Sequence, residues 1–532
     1  MLPKAVKTAF FTATIVGFIS HATVLTNYLY NHDSLSAGIT SDFSLGLQQG
    51  KWFNYVVGLI TRGHSFSPAS TITIGLFLLV LTATFTVAVL QVHSGIWAAG
   101  IASFLVLFPS VMSTNTFLSS ATFFFALFLA VLAVFFTVRY KHGFWLGIVL
   151  LTFSCGTYSV FLGYAAGLFL ILLLNSLLDG KKPVKEIVLT GLRYLAVLLV
   201  SALLYYLVLR ILLSVCGTAL SSYRNIDTIG AFTASSLLDA IVASYRKVYY
   251  FFIYGIHLYR ASFSIEPLFR VMNWATLFLA AVFSVAIGVR NGIARSIPRI
   301  ILTLALAALF PLAIHAIGVL GQNAYTHWIM IYPFVLVYVY MLSCTDRMEQ
   351  QFLPQNAGKV RRFVKTGVLW GTIAAMIVSA LLLRQWFLTT NQGYAFLRYA
   401  DENAYAQGVL LADDLRETEG YTSDTTVALI GDGAPPAFQY TTGDFSEIAD
   451  ADGTKYTGLK LPIVDTDHLK LLLRNWVGVS LNYADDATVA YLSALPEVAA
   501  LPVYPAQGSI VMIDGCLVVK LAEVSADAET AP

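Results

Sequence analysis

Long apolar stretches recur along the first 390 residues of this 532-residue chain. A helix that crosses the hydrocarbon core of a membrane needs roughly 17–25 mainly apolar residues, and these stretches meet or approach that length. Only 12% of the residues are charged, about half the share in an ordinary soluble domain. The sequence therefore predicts a polytopic α-helical membrane protein with about eleven transmembrane helices. The predicted spans are 8–28, 70–91, 95–112, 117–138, 143–158, 160–178, 187–214, 271–289, 299–319, 326–343 and 366–387.

The apolar run at 143–178 is divided into two short spans, because Gly156, Thr157 and Gly163 interrupt it. The charges of the connections support this division, since lysine and arginine accumulate on cytoplasmic loops. With a cytoplasmic N-terminus, every large basic cluster falls inside and the C-terminal tail falls outside. The clusters lie at 139–141, 181–185, 290–299 and 347–365.

The tail differs from the rest of the chain because 21 of the 30 acidic residues follow Asn391. We predict a transmembrane domain over 1–390 and a small extracytoplasmic α/β domain over 391–532. The predicted tail elements are a helix over 394–419, a strand over 427–430 and a hairpin over 509–521 around Asp514-Gly515, the commonest two-residue turn signal.

Two outer connections contain segments that resemble spans. Segment 51–62 is amphipathic and carries tryptophan and tyrosine, which is typical of a helix lying in the membrane interface. Segment 236–260 is more apolar, but Asp239, Arg246 and Lys247 near its middle favour an interfacial helix over a twelfth span.

Carboxylates are scarce in the apolar body, so a general base at the outer face has few sources. Asp33 is placed best, because it follows the first span at the membrane–water boundary, where desolvation favours base chemistry. The alternative is that Asp33 caps a helix starting at Ser34. The other outward carboxylates are Asp42, which could equally cap 43–49, and Asp227, Asp239 and Glu266, which suit solvated loops.

Cations at the outer face could bind an anionic lipid headgroup or a phosphate. Snorkelling to the interface is the alternative for most of them, Arg210 included. These cations are Lys51, Arg62, Arg210, Arg224, Arg246, Lys247, Arg260 and Arg270. His21 and His315 lie inside apolar runs, where a histidine marks either a helix–helix hydrogen bond or a polar interior site.

Several classes of chemistry have no support. The four cysteines form no C-x-x-C pair, so neither a metal site nor a disulfide framework is predicted. Gly431-x-Gly433 lacks the third glycine and the following helix of a nucleotide-binding loop. No acidic residue falls within a predicted span, which counts against ion-coupled transport, and no basic aromatic patch indicates nucleic acid.

Four stretches together carry a resemblance to a known family. They are 31–53, with an acidic loop leading to a glycine–basic–tryptophan element; 107–138; 147–172, with Gly156-Thr157-Tyr158; and 503–520. In order and spacing the chain resembles the bacterial O-antigen-type glucosyltransferases (the glucosyltransferase II type), which are multi-pass enzymes of the GT-C class. Lys51 stands where the family usually carries arginine.

The resemblance implies transfer of a glucosyl or other hexosyl unit from a polyprenyl phosphate sugar to a cell-surface glycan. The reaction would take place on the outer face of the bacterial cytoplasmic (inner) membrane, with no cofactor or metal. It also implies that Asp33 is the catalytic base. The residues assigned to substrate binding are Asp42, Lys51, Trp52, Arg62, Tyr158, Arg210 and Arg246.

Two alternatives stay open at this point. A transporter or flippase of a lipid-linked glycan would share the apolar body and the membrane lipids as partners. A non-catalytic relative would keep the fold and bind glycan without transferring sugar. Formation of a glycosidic bond distinguishes the first prediction from both.

Overall fold

The computed structural model describes residues 3–36, 43–62, 67–222, 233–254, 267–320, 326–353, 362–431, 433–439 and 461–524. The chain divides into two compact units. The helical unit comprises Met1–Thr26, Thr40–Asn115 and Ser119–Asn391. The tail unit comprises Gln392–Pro532 together with two segments from early in the chain, Asn27–Ile39 and Thr116–Leu118. Asp33 therefore belongs to the tail unit.

The described part of the helical unit is mainly α-helical, and its last helix continues into the tail unit. The helices are α1 (Lys4–Ser20), α2 (Ala22–Thr26), α3 (Phe43–Gln48), α4 (Asn54–Arg62), α5 (Pro68–Leu90), α6 (Gly95–Leu107), α7 (Pro109–Asn115), α8 (Ser120–Arg139), α9 (Gly143–Tyr158), α10 (Leu162–Asp179), α11 (Val184–Val215), α12 (Ala234–Tyr249), α13 (Pro267–Arg290), α14 (Ile297–Ile314), α15 (Ala316–Leu320), α16 (Val335–Phe352) and α17 (Arg362–Glu417).

Eight of the described helices are long and apolar enough to cross a membrane, or nine if the bent pair α6–α7 forms one span. The predicted number of eleven is not confirmed. Three places account for the difference. Helix α1 is only 17 residues long and stops at His21; α6 and α7 meet at a bend of 43°; and the run Gly143–Asp179 counts as one helix of 37 residues.

The run Gly143–Asp179 nevertheless reverses its direction. Its first part, α9, runs parallel to α11, whereas its second part, α10, runs antiparallel to α11. The contacts that fix these directions are Phe144 with Arg193 and Thr152 with Ser201 for α9, and Phe169 with Tyr194 and Leu173 with Gly191 for α10. The reversal falls at Tyr158, whose φ of −159° and ψ of 104° are those of extended backbone. Helices α9 and α10 thus form an antiparallel pair.

Several basic residues bind helix ends within the helical unit. Arg193 donates to the carbonyl oxygens of Thr137, Tyr140 and Lys141 at distances of 3.0–3.3 Å. Arg299 donates to the carbonyl of Leu177 at 3.1 Å and is 8% exposed. Cations are favourable at helix C-termini, where carbonyl groups lack intrahelical partners. These arginines therefore stabilise helix ends, in addition to any contribution to the orientation of the helices in the membrane.

The two segments predicted to be interfacial each contain a helix. Helix α4 covers Asn54–Arg62 of the segment 51–62, and residues 51–53 form a turn before it. Segment 236–260 contains α12 and a π-turn at Tyr250–Tyr254, and neither is among the candidate membrane spans. A Thr233–Ser236 capping box begins α12, which satisfies backbone N–H groups at its first turn.

The tail unit is a small α/β fold, as the sequence predicted for its elements. The end of α17 continues without a break into the predicted helix 394–419. The remaining elements are β1 (Thr426–Ile430), α18 (Thr466–Leu472), a π-turn (Leu473–Val477), β2 (Asn482–Tyr483), α19 (Asp486–Ser493), α20 (Pro496–Ala499), β3 (Ile510–Ile513) and β4 (Cys516–Lys520). The four strands form one sheet in the order β2-β1-β4-β3, in which β1 is parallel to both neighbours and β3–β4 is a hairpin.

Alternate residues of the central strands pack on opposite faces of the sheet. Val427 and Leu429 join Leu411 of α17 and Leu472 of α18 on one face. On the other face, Ala428, Ile430 and Val518 pack with Leu492 of α19 and Val498 of α20. This alternation is what a period of two in a strand requires when helices cover both faces. The hairpin turn is confirmed at Asp514-Gly515, where both residues have positive φ, as a type I′ turn needs.

Candidate functional site

The acidic turn carries the predicted base. Residues His32–Ser34 form one turn of 3₁₀-helix, with Asp33 at its centre and Asn31 at the N-cap position. The alternative in which Asp33 caps a helix starting at Ser34 is therefore wrong, because the turn begins one residue before Asp33. The Asp33 side chain is 60% exposed, and its Oδ1 lies 3.3 Å from Nε2 of His32. A carboxylate in this setting is accessible to a substrate hydroxyl.

Buried hydrogen bonds hold the backbone of the turn in place. Ser34 is 2% exposed. Its hydroxyl contacts Asn31 Oδ1 at 3.1 Å and the Thr116 carbonyl at 3.2 Å, and it accepts the Leu118 N–H at 3.2 Å. Residues 116–118 also belong to the tail unit. The exposed carboxylate of Asp33 thus stands on a backbone with fixed neighbours, which suits a group that must keep one orientation.

Residues from much later in the sequence hold both flanks of the turn. The Tyr30 N–H donates to Oδ2 of the buried Asp401, at 3.1 Å. The Leu35 carbonyl accepts from Asn475 Nδ2 at 2.9 Å and from Trp476 Nε1 at 3.3 Å. The Tyr30 and Trp476 rings stack with centroids 4.5 Å apart. The C-terminal part of the chain therefore provides the support for Asn27–Ser36.

A second acid–imidazole pair lies next to the acidic turn in the tail unit. The His32 ring contacts the His468 ring, with centroids 5.3 Å apart. Asp465 is the N-cap of α18; its Oδ1 accepts the His468 N–H at 2.9 Å and lies 2.5 Å from His468 Nδ1. Burial alone would raise the pKa of Asp465, but the bonds from the His468 backbone and ring hold that pKa below its usual value.

The lowered pKa of Asp465 predicts a pH dependence of stability. A carboxyl whose pKa is lower in the folded than in the unfolded state stabilises the fold above the unfolded value of about 3.9. That contribution is lost as the pH falls through the folded-state pKa. We expect Asp465→Asn to melt below the wild-type temperature at about pH 6, and the difference to shrink towards pH 3. Thermal unfolding of the full chain in detergent at each pH measures this, and a difference that is constant with pH would contradict it.

Three predicted binding residues come together in the helical unit. Trp52 is 7% exposed and packs against Gly156, where an added Cβ would lie 2.5 Å from the indole atoms Cε2 and Cζ2. Phe53 N–H donates to the Gly156 carbonyl at 2.8 Å. The Lys51 ammonium lies 5.9 Å from the Tyr158 ring centroid and donates to Gln49 Oε1 at 2.8 Å. We call Lys51, Trp52, Gly156 and Tyr158 the tryptophan platform.

The other predicted binding residues are less informative. Arg210 and Arg246 are exposed on α11 and α12. Backbone placement is described for Arg62, at the end of α4, but not its side chain. Asp42 lies outside the described residues, so neither its assignment to substrate binding nor its capping of 43–49 is tested. The same holds for Asp227 and Glu266.

Two buried polar contacts account for the intramembrane histidines. His21 Nε2 bonds the Val106 carbonyl at 2.9 Å, which joins α1 to α6. His315 Nδ1 bonds Ser244 Oγ at 3.1 Å, and one turn further along α12 Lys247 donates to Thr326 Oγ1 at 2.8 Å. Both histidines therefore make the helix–helix bonds that a buried imidazole needs in an apolar surrounding.

Sequence reasoning missed the groups that surround Asp33. Asp401, Asp465, His468 and Trp476 were read only as parts of an acidic tail. No local pattern marks them, although Asp465 three residues before His468 is an N-cap signal in hindsight. Among the residues that the structure describes, no group of three or more His, Cys, Asp or Glu side chains could hold a metal ion. All four cysteines are free thiols.

The length and apolar character of the helices are those of a membrane protein. The exposed Asp33 carboxylate lies on a fixed turn that precedes these helices in the sequence. A family model described as Glucosyl transferase GtrII matches residues 22–342, more than half of the chain. The chain therefore belongs to the GtrII glucosyltransferase family, which confirms the predicted family and supports a membrane glycosyltransferase. No curated protein and no solved structure matches the chain.

Proposed function

We propose that this protein transfers a hexosyl unit, glucose first among the candidates, from a polyprenyl phosphate to a cell-surface glycan. The reaction takes place on the outer face of the bacterial cytoplasmic membrane. Membership of the GtrII family supports the reaction class. The apolar helices support a lipid-linked donor, because such a donor is already anchored where these helices end.

The observation that carries the proposal is the carboxylate of Asp33. It is 60% exposed, whereas its neighbour Ser34 is 2% exposed and bonded on three sides. A general base must reach the proton that it removes and must hold its orientation while it does so. The bonds of Ser34 fix the backbone that carries Asp33, and the Asp33 carboxylate stays accessible to an acceptor hydroxyl.

The chemical step balances without a cofactor. The acceptor hydroxyl oxygen forms a bond to the anomeric carbon of the donor sugar. Its O–H proton passes to an oxygen of Asp33, and the bond between the anomeric carbon and the phosphate oxygen breaks. The electron pair of that bond leaves with the polyprenyl phosphate. The products are a glycosidic bond and a free lipid phosphate.

The departing phosphate gains negative charge, so a cation near it lowers the barrier. Lys51, which Gln49 and Tyr158 hold at the tryptophan platform, is the first candidate for contact with a phosphate or headgroup. A lysine presents a compact charge rather than the planar fork of an arginine, so it contacts phosphate as a single charge. Arg62, Arg210 and Arg246 are the further candidates for phosphate or headgroup contact.

The proposed topology has eleven crossings, of GT-C type, with a cytoplasmic N-terminus. An odd number of crossings puts the tail on the outer face, which is where a polymerised surface glycan is found. We expect a reporter fused after Pro532 to behave as extracytoplasmic and the same reporter fused after Lys182 to behave as cytoplasmic. A C-terminal reporter that is cytoplasmic would rule out this topology and the outer-face reaction with it.

Transfer itself is tested with purified protein, radiolabelled polyprenyl phosphate glucose and candidate glycans. We expect label to enter the glycan through a bond that glucosidase cleaves, and free polyprenyl phosphate to accumulate in equal amount. Label that crosses reconstituted vesicles without entering glycan would favour a flippase instead. Glycan binding without transfer would favour a non-catalytic relative.

A further inference from the structure

Four ionisable side chains form a continuous series in the tail unit. Asp33 Oδ1 lies 3.3 Å from His32 Nε2. The His32 ring contacts the His468 ring at a centroid separation of 5.3 Å and an interplanar angle of 54°. His468 Nδ1 lies 2.5 Å from Asp465 Oδ1. The series joins a carboxylate on an early loop to one that begins a helix 432 positions later in the sequence.

The far end of the series is fixed by two bonds to one atom. Asp465 Oδ1 accepts the backbone N–H of His468 as an N-cap and also contacts the imidazole of the same residue. The backbone bond fixes the start of α18, and the ring bond fixes the orientation of the His468 imidazole. Leu469 and Leu472 of the same helix are fully buried, so α18 is itself held in the core. His468 thus has one defined orientation.

The near end of the series depends on that orientation. The His32 side chain is only 12% exposed, whereas Asp33 is 60% exposed. A ring as buried as His32 can take few rotamers, and the neighbouring His468 ring occupies one side of it. His32 Nε2 faces Asp33 in the orientation that this contact permits. Removing the His468 ring opens space in which His32 can turn away from Asp33.

We propose that His468, held by Asp465, is a positioning residue for the base Asp33 and acts through His32. This inference rests on the proposed function. It goes beyond the family match, which ends at residue 342 and so covers Asp33 but neither His468 nor Asp465. The tail is then part of the catalytic machinery rather than an accessory to a complete membrane enzyme.

The test is His468→Ala in the full-length protein, with kcat and the KM values for both substrates measured in the transfer assay. A displacement of the base by about 1 Å costs roughly 100-fold. We expect kcat to fall by that order while both KM values stay within about twofold, because the proposal gives His468 no contact with either substrate. An unchanged kcat, or a raised KM with kcat unchanged, would overturn the inference.

A matched pair of variants, compared at equal amounts of folded protein, separates positioning from simple loss of stability. Asp465→Asn keeps the N-cap, since asparagine and aspartate cap equally well, but it weakens the bond to the His468 ring. Asp467→Asn removes the partner of Lys470 in the same helix, on a side chain that is 80% exposed. We expect kcat about fivefold lower for Asp465→Asn and unchanged for Asp467→Asn.

The outcomes distinguish this inference from the function on which it rests. Equal losses of kcat in Asp465→Asn and Asp467→Asn would show a general weakening of α18 and would overturn the positioning role. An active wild type with an equally active His468→Ala would leave the transferase and remove the inference alone. A wild type that transfers no sugar would remove both.

Discussion

Replacing Asp33 by asparagine should lower the rate of sugar transfer by about 10²–10⁴-fold, the range expected when a general base is removed. Asparagine is nearly the same size as aspartate, so the 3₁₀-turn and the bonds of Ser34 should persist. Asparagine cannot take the proton from the acceptor hydroxyl. The barrier to transfer rises because the hydroxyl must attack while it still carries that proton. KM for the donor should change little, since Asp33 is not assigned to the phosphate.

Asp239→Asn is the matched control, because Asp239 is another exposed carboxylate that the sequence places on the outer side. We expect this variant to transfer sugar at the wild-type rate. Initial rates with polyprenyl phosphate glucose, at equal amounts of folded protein, measure both. Wild-type activity in Asp33→Asn would exclude Asp33 as the base and would leave the family assignment intact.

Much of the fold could be predicted because local sequence determines it. The length of an apolar run places a helix, and Asp514-Gly515 places the hairpin, since aspartate and glycine tolerate the positive φ of both turn residues. The strand at 427–430 followed from its apolar character, and the structure adds Thr426 to it. Each of these features needs only neighbours within a few residues.

The number of spans could not be predicted from apolar length alone. Length does not record that α1 ends before His21, whose ring bonds the Val106 carbonyl, or that α6 and α7 bend at Phe108. Those two features depend on tertiary contacts, which a single run does not encode. The reversal at Tyr158 is different, because Gly156, Thr157 and Gly163 together with the basic loop clusters predict a division of this run into spans 143–158 and 160–178.

The residues that hold the turn around Asp33 were the part of the site that the sequence could predict least. The Tyr30 N–H donates to Asp401, 371 residues later in the sequence, and the Leu35 carbonyl accepts from Asn475, 440 residues later. Sequence reasoning identified Asp33 because carboxylates are rare in the apolar body. It could not identify the residues that hold the turn, because their roles exist only after the tail has folded around it.

Gly156→Ala should cause the second large effect, a loss of transfer together with a loss of stability. The new methyl group would lie 2.5 Å from two atoms of the Trp52 indole, well inside contact distance. A rigid ring that is 7% exposed cannot turn away as a flexible side chain could. Overpacking of this kind costs about 1–3 kcal/mol, and the shift of Trp52 would carry Lys51 away from Tyr158.

Gly367→Ala is the control, since an added Cβ there meets nothing within 4 Å. Thermal unfolding and initial rates of transfer should be unchanged or slightly improved, because alanine favours a helix more than glycine does. A double variant sharpens the test: Trp52→Phe removes the part of the indole that the methyl group meets. If the methyl group destabilises the protein by its clash with the Trp52 indole, Gly156→Ala combined with Trp52→Phe is more stable than Gly156→Ala alone. Independent sites do not show such non-additivity. Strictly additive losses would mean that Gly156 acts through something other than the ring of Trp52.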